Sequence, residues 1–207
     1  MNRERKAEFN KSIILNAAEE LFQQKGFENT RIDEIAEKAE ISKATIYSYF
    51  NCKEELLDRL LHKALRNICE QIKNCLNEKL GRGEYFMKIC NIFVNFYKTN
   101  QVCFQRMLQP LDEKYTGPTS LLYEQIAEDT HEINALLYDA MKKYNVTKFF
   151  QGDNPDKGTF LIWTTVIGTI LISERKEGFI KMMYGISAEE FREFSFRQLY
   201  EASVVEK

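Results

Sequence analysis

The sequence predicts an all-α protein, and three observations carry that prediction. No run alternates apolar and polar residues with the period of two that marks a half-buried strand. Apolar residues instead recur at three- and four-residue spacing along most of the 207 residues. Only three prolines interrupt that spacing: Pro110 closes one helix, Pro118 ends a loop and Pro155 opens another helix. About nine helices are expected, three short ones over residues 1–52 and longer ones over 53–207.

In chain order, Ile14, Ala18, Leu21 and Phe22 line one face of a first helix, which Gly26 ends as its left-handed residue. Thr30-x-x-Asp33 reads as a capping box opening the second, with Ile32, Ile35, Ala36 and Ala39 turned inward. Glu40-Ile41 makes a tight turn, and Ser42 is a favourable N-cap for a short third helix. A fourth helix over 53–80 bridges a shift in composition and stops at Gly81-Arg82-Gly83. Helices five and six follow over 84–100 and 101–109, then a loop over 112–118 and a long helix over 119–145. After a polar loop at 151–155, an eighth helix runs to about residue 176, and Ser187-x-x-Glu190 caps a ninth that ends near 204.

Composition removes several classes of function. A hydrophobic content of 44% with 29% charge describes a globular chain. Five cysteines, odd in number and without a CxxC pair, fit reduced thiols rather than a disulfide framework or a zinc site. The N-terminal MNRERKAEFNK has no apolar segment behind it, so no signal peptide is read. The longest apolar stretch, 160–172, falls short of the ~20 residues a membrane span needs. A soluble, cytoplasmic protein without membrane contact is expected. Glu128-x-x-His131 could be half of a di-iron site, but residue 59, three before the other histidine, is Arg59. No nucleotide-binding or nucleophile-elbow motif occurs, so neither enzyme, metal nor cofactor is expected.

The segment 41–50, ISKATIYSYF, carries the functional reading. On a helical wheel Ile46 and Phe50 share the inward side. Ala44, Thr45 and Ser48 point outward between Tyr47 and Tyr49. Such a narrow, hydroxyl-rich face suits a major groove ~12 Å wide, with small residues at the bases. Lys43 and the tyrosines are long enough to reach phosphates. The net charge of −2 does not itself suggest nucleic acid. Charge is sorted by segment, however: 28–40 holds five acids, whereas 41–53 holds two lysines and no acid.

The order Ala18-x-x-Leu21-Phe22, Gly26-Phe27, Thr30, Ile35-Ala36, Ile41-Ser42, Thr45-Ile46-Tyr47-x-Tyr49-Phe50 and Lys53-Glu54-x-Leu56 resembles the DNA-binding domain of the tetracycline-repressor (TetR) family. The resemblance implies an N-terminal helix-turn-helix domain, 1–52, and a C-terminal effector-binding and dimerisation domain, 53–207. It implies a homodimeric regulator of transcription, usually a repressor, with double-stranded operator DNA and a small effector as partners. By position, Thr30 would touch phosphate and Lys43, Ala44 and Thr45 would meet bases or backbone. Tyr47 and Tyr49 would grip phosphates, Lys53 would hold phosphate as an anchor at the next helix's N-terminus, and Ser42 and Ser48 complete the set. Arg31 and Cys52 depart from the family pattern. Arg31 can add a contact, and Asn51 is expected to cap in place of Cys52.

Helix five is apolar over most of its circumference, which suggests either a core or a ligand cavity. The expected cavity residues are Phe86, Cys90, Phe93, Tyr97, Phe104, Met107, Tyr123, Ile126, Asp129, Thr130 and Trp163. With Asp129 as the acid among them, a hydrophobic or aromatic effector, neutral or cationic, is favoured over an anionic one. Helices 155–176 and 187–204 should pair with a two-fold mate, setting recognition helices about 34–36 Å apart over a near-palindromic site. The alternative from another class is a helical small-molecule carrier without operator function.

Overall fold

The structure is a computed structural model that describes residues 3–109, 118–149 and 155–205. Among these residues it contains ten α-helices and no strand. They are α1 (Arg3–Lys25), α2 (Ile32–Lys38), α3 (Lys43–Tyr47), α4 (Lys53–Asn77), α5 (Arg82–Thr99), α6 (Gln101–Met107), α7 (Pro118–Lys143), α8 (Pro155–Arg175), α9 (Glu177–Tyr184) and α10 (Ala188–Ser203). Pro110 and most of the two expected loops, 112–118 and 151–155, lie outside the described residues. The helix not foreseen is α9. It begins one residue after α8 ends and stops at Gly185, whose φ of 71° is the left-handed conformation that glycine adopts without strain. No helix among the described residues is long and apolar enough to cross a membrane.

The chain forms two compact units, Met1–Arg66 with Lys98–Asp129 and Asn67–Tyr97 with Thr130–Lys207. In the first, α1 packs on α2 and α6, and α2 packs on α3. Its core is built from Ile14, Ala18 and Phe22 of α1, Ile35 of α2, Ile46 of α3, Phe50, and Leu56 and Leu61 of α4. Phe104 of α6 is fully buried. A buried ion pair joins α4 to α6, where the Arg106 Nε donates to Asp58 Oδ1 at 2.7 Å.

Helix ends in this unit follow local chemistry. Gly26, φ 82°, terminates α1 and its N–H donates to the Phe22 carbonyl at 2.9 Å. The N-cap of α2 is Arg31 rather than Thr30, and Glu34 rather than Asp33 reaches back, accepting the Arg31 N–H at 2.7 Å. That shifts the expected capping box by one residue. At the other end of α2, the Glu40 N–H donates to Glu37 and the Ile41 N–H to Ala36. This pairing defines a Schellman turn, with Glu40 left-handed at φ 55°. Before α4, Asn51 does not cap as expected. Its backbone and side-chain N–H groups both donate to Glu55 Oε2, at 2.8 and 2.9 Å.

In the second unit α8 and α10 form the most extensive helix pair among the described residues. Arg192 of α10 is buried and donates to Glu174 and Ser173 of α8. Ser187 caps α10 in the expected capping box, its Oγ accepting the Glu190 N–H at 3.1 Å while Glu190 accepts the Ser187 N–H at 2.7 Å. A second Schellman turn ends α7, with Asn145 left-handed at φ 57° and the Val146 N–H donating to Met141 at 2.9 Å. Val146 and Met141 are both buried, the apolar clasp that accompanies this motif.

Candidate nucleic-acid interface and effector cavity

The short helix α3 is presented by the turn before it and the cap at its start. Ser42 is extended, and its Oγ accepts the Thr45 N–H at 3.0 Å. Ile46 and Phe50 are buried, so the helix is pinned by one side only. Lys43, Ala44 and Ser48 are exposed on the other, Thr45 is half-buried, and Tyr47 is 48% exposed.

The hydroxyls on this face are engaged locally. The Ser42 and Thr45 hydroxyls hydrogen-bond to each other at 2.7 Å, and Ser48 Oγ donates to the Thr45 carbonyl at 2.7 Å. Tyr49 accepts from Asn10 Nδ2 at 3.1 Å, which brings α1 alongside the end of α3. Lys43 pairs with Asp33 at 2.9 Å. The hydrogen bond that the Lys43 ammonium donates to Asp33 holds its pKa above the ordinary value, so Lys43 remains charged. Asp33 thereby offsets one of the two lysines that the segment supplies.

Two residues expected to meet phosphate are used internally instead. Thr30 is 2% exposed and its hydroxyl donates to the Gly26 carbonyl at 2.8 Å, bracing the α1–α2 loop. The Lys53 ammonium donates to the Phe27 and Thr30 carbonyls at 2.8 and 3.1 Å and lies 4.1 Å from the centre of the Phe27 ring. Both tie the same loop, and so set the orientation of α2. Arg31 is exposed at the start of α2. Cys52, before α4, has a thiol pushed up by burial, while the Glu55 N–H near its sulfur works in the opposite direction.

The second unit contains a narrow apolar cavity. The centre of a water-sized sphere has about 40 Å³ to move in. Its walls are Tyr85, Phe86, Ile89, Cys90 and Phe93 of α5, Leu137, Ala140, Met141 and Tyr144 at the end of α7, Val146, and Ile162, Trp163 and Val166 of α8. No lining residue carries a formal charge. Burial pushes the Cys90 thiol far above its ordinary value, so it too is neutral. Tyr85 and Tyr144 stack with ring centres 4.3 Å apart.

Of the expected cavity residues, Phe86, Cys90, Phe93 and Trp163 line this space. Tyr97 is buried on α5 outside the lining, and Thr130 is exposed. Phe104, Met107, Tyr123, Ile126 and Asp129 belong to the first unit. There Asp129 is buried against His62 Nδ1 at 2.6 Å and Arg66 at 3.5 Å, so its charge is already matched. A cationic effector therefore loses the carboxylate expected to face it. The residues missed were legible in part: Leu137, Ala140, Met141 and Tyr144 follow the 0, 3, 4, 7 spacing of one helix face.

The family of bacterial regulatory proteins described as tetR matches residues 14–60, which span the second half of α1, α2, α3 and the start of α4. The chain is 32% identical over 92 residues to YhgD of Bacillus subtilis, an uncharacterised HTH-type transcriptional regulator, covering 44% of this chain and 48% of that one. It thus spans about half the length of that relative. QacR, an HTH-type transcriptional regulator of Staphylococcus aureus, is 27% identical over 132 residues, covering 56% and 69% of the two chains. In three dimensions the chain is similar to FadR from Bacillus subtilis, solved in complex with stearoyl-CoA. That TM-score is 0.61 at 17% identity, with 92% of this chain and 98% of FadR covered.

Proposed function

The chain belongs to the tetR family of bacterial regulatory proteins, and we propose that it is a cytoplasmic, dimeric repressor released from a near-palindromic operator by a small apolar effector. The observation that carries the DNA reading is the exposed face of α3, small at its centre and flanked by Lys43 and Tyr47. Ala44 and Thr45 read base edges, while Tyr47, Lys43 and Arg31 contact phosphates. The Asn10–Tyr49 contact adds Arg3, Arg5 and Lys6 of the exposed first turns of α1 as further phosphate ligands. Their charges supply what the neutralised α2–α3 segment lacks.

The dimer forms through α8 and α10. Leu161 and Ile172 of α8 and Phe194 of α10 are exposed, and a Cβ built at Gly168 meets nothing within 4 Å. A two-fold mate covering this face places two recognition helices one turn of DNA apart, about 34–36 Å. The effector occupies the cavity beneath α5, and α4, unbroken from Lys53 to Asn77, transmits its binding. A hundredfold loss of operator affinity requires about 2.7 kcal/mol of coupling.

The test is binding to duplex DNA at graded salt. Lys43→Ala and Tyr47→Phe weaken binding to every sequence alike, and Lys43→Ala lowers the salt slope by about one. Thr45→Ala changes sequence preference instead. A wild-type protein without a steep salt slope would favour the helical carrier over the regulator. Sedimentation of Phe194→Asp as a monomer, against a dimeric wild type, supports the interface; an unchanged dimer removes it.

A further inference from the structure

Exposed apolar side chains concentrate toward the C-terminal end of the chain. Among the described residues thirteen large apolar residues are exposed, and eight of them fall within 160–194. The face assigned above to the two-fold mate uses three of these, Leu161, Ile172 and Phe194. A stable interface draws on ~20–30 residues a side, so three anchors leave much of it unfilled. The other five are Phe160 and a set on α9: Phe179, Met182, Met183 and Tyr184, each 49–73% exposed. Helix α9 packs on α8 and α10 and buries only Ile180. Phe179, Met182 and Met183 follow the 0, 3, 4 spacing of one helix face, a contiguous apolar patch of the kind that marks a docking surface. Toward the opposite end of α8 lies a groove of about 600 Å³ between α7 and α8. His131, Ala135 and Tyr138 of α7 and Asp156, Lys157 and Phe160 of α8 line it. The Phe160 ring stacks on Trp163 with centres 5.7 Å apart, which fixes it as a wall.

Two-fold symmetry brings these two features together. The outward face of α8 runs Leu161, Thr165, Gly168 and Ile172, so its middle lies between Thr165 and Gly168. A two-fold axis crossing α8 there sets the mate's α8 antiparallel, in a contact where the same residues meet from both sides. With a constant rise per residue, Glu177 at the start of α9 lies level with the partner's Asp156, where the groove begins. Resting on the reading of α8 and α10 as the dimer interface, we infer that α9 of each copy docks in the α7–α8 groove of its mate. The occupant of the groove is a second copy of this chain, and the contact occurs twice per dimer. Phe179 and Met182 are its apolar anchors, and the exposed Phe160 ring is the wall they cover, a thioether and an aromatic edge against an aromatic face.

Dimer dissociation is measured by sedimentation over a concentration series. The samples are the full chain, Phe179→Ala with Met182→Ala on α9, Phe160→Ala in the groove, and all three substitutions combined. Each anchor is lost twice per dimer, so the α9 variant and Phe160→Ala should each weaken the dimer about a hundredfold. The two sites share one contact, so the combined variant should lose little more than the α9 variant alone. In the monomeric Phe194→Asp background the same substitutions should leave the melting midpoint in place, because a single copy leaves these side chains about half exposed or more. Unchanged dissociation in either variant, or losses that multiply in the combined one, overturns the inference. A midpoint lowered in the Phe194→Asp background overturns it too, since the residues then serve their own copy. A wild type that sediments as a monomer overturns both this contact and the α8–α10 interface. A coupled loss alongside a Phe194→Asp variant that stays dimeric supports the α9 contact and sinks only the α8–α10 reading.

Discussion

On α3 the Ser42, Thr45 and Ser48 hydroxyls and the Lys43 ammonium each have a partner within the same few turns of chain. The buried Tyr85 hydroxyl has none among the described residues. The difference follows from solvent. An exposed polar group exchanges one partner for water or for a phosphate at little cost, so local pairing does not prevent recognition. A buried group has no such exchange, so leaving it unpaired is a standing cost. The α3 surface can therefore lend its hydrogen bonds, whereas the buried phenol has none to exchange.

The largest expected effect lies in the cavity wall. Phe93 is 3% exposed, and Phe93→Ala should lower stability by about 3–5 kcal/mol in denaturant unfolding. A loss below 1 kcal/mol would mean that the wall is loosely packed, and the contrast with α3 would fail. Next comes Lys53→Ala, which removes two carbonyl contacts from the α1–α2 loop. It should cost about 1.5–3 kcal/mol and weaken DNA binding together with the melting midpoint. Lys43→Ala, by contrast, should change the salt slope and leave the midpoint in place. Equal behaviour of the two lysines would erase the distinction between a brace and a contact.

Glu40 offers a gain. It is left-handed in the turn between α2 and α3, a conformation in which glycine is unstrained. Glu40→Gly should stabilise the protein by about 1 kcal/mol and tighten DNA binding by removing an exposed carboxylate beside α3. Asn145 holds the same conformation at the end of α7. Asparagine tolerates it better, so Asn145→Gly should gain less. The smallest effect is acidic. Glu34 is held below the ordinary carboxylate value by Lys25 and then by the Arg31 N–H, and Glu190 by the Ser187 N–H. Depressed folded values mean that their contribution is complete above about pH 4.5 and disappears as pH falls through the folded values. Glu34→Gln with Glu190→Gln should flatten the melting midpoint between pH 5 and pH 3 (roughly the carboxylate range).

Local chemistry made much of this protein legible. Gly26, Ser42 and the Ser187–Glu190 box mark helix ends because each meets the nearest backbone groups, three or four residues away. Periodicity likewise placed Ile46 and Phe50 inward, leaving Ala44 and Ser48 on the exposed face. The boundary between α8 and α9 was not legible, since one turn residue, Lys176, separates them without a proline or a preceding glycine.

The sequence by itself determined the helical class, the short outward-facing α3 and an apolar α5, because period and capping are properties of neighbours along the chain. Only the tertiary structure decided which aromatics share a space. Phe93 and Trp163 enclose the cavity, whereas Phe104 and Ile126 fill the other unit. It also matched Asp129 to His62 and turned Lys53 toward two carbonyls. Those assignments depend on segments tens of residues apart, whose approach is set by packing, and no spacing rule along one helix encodes it.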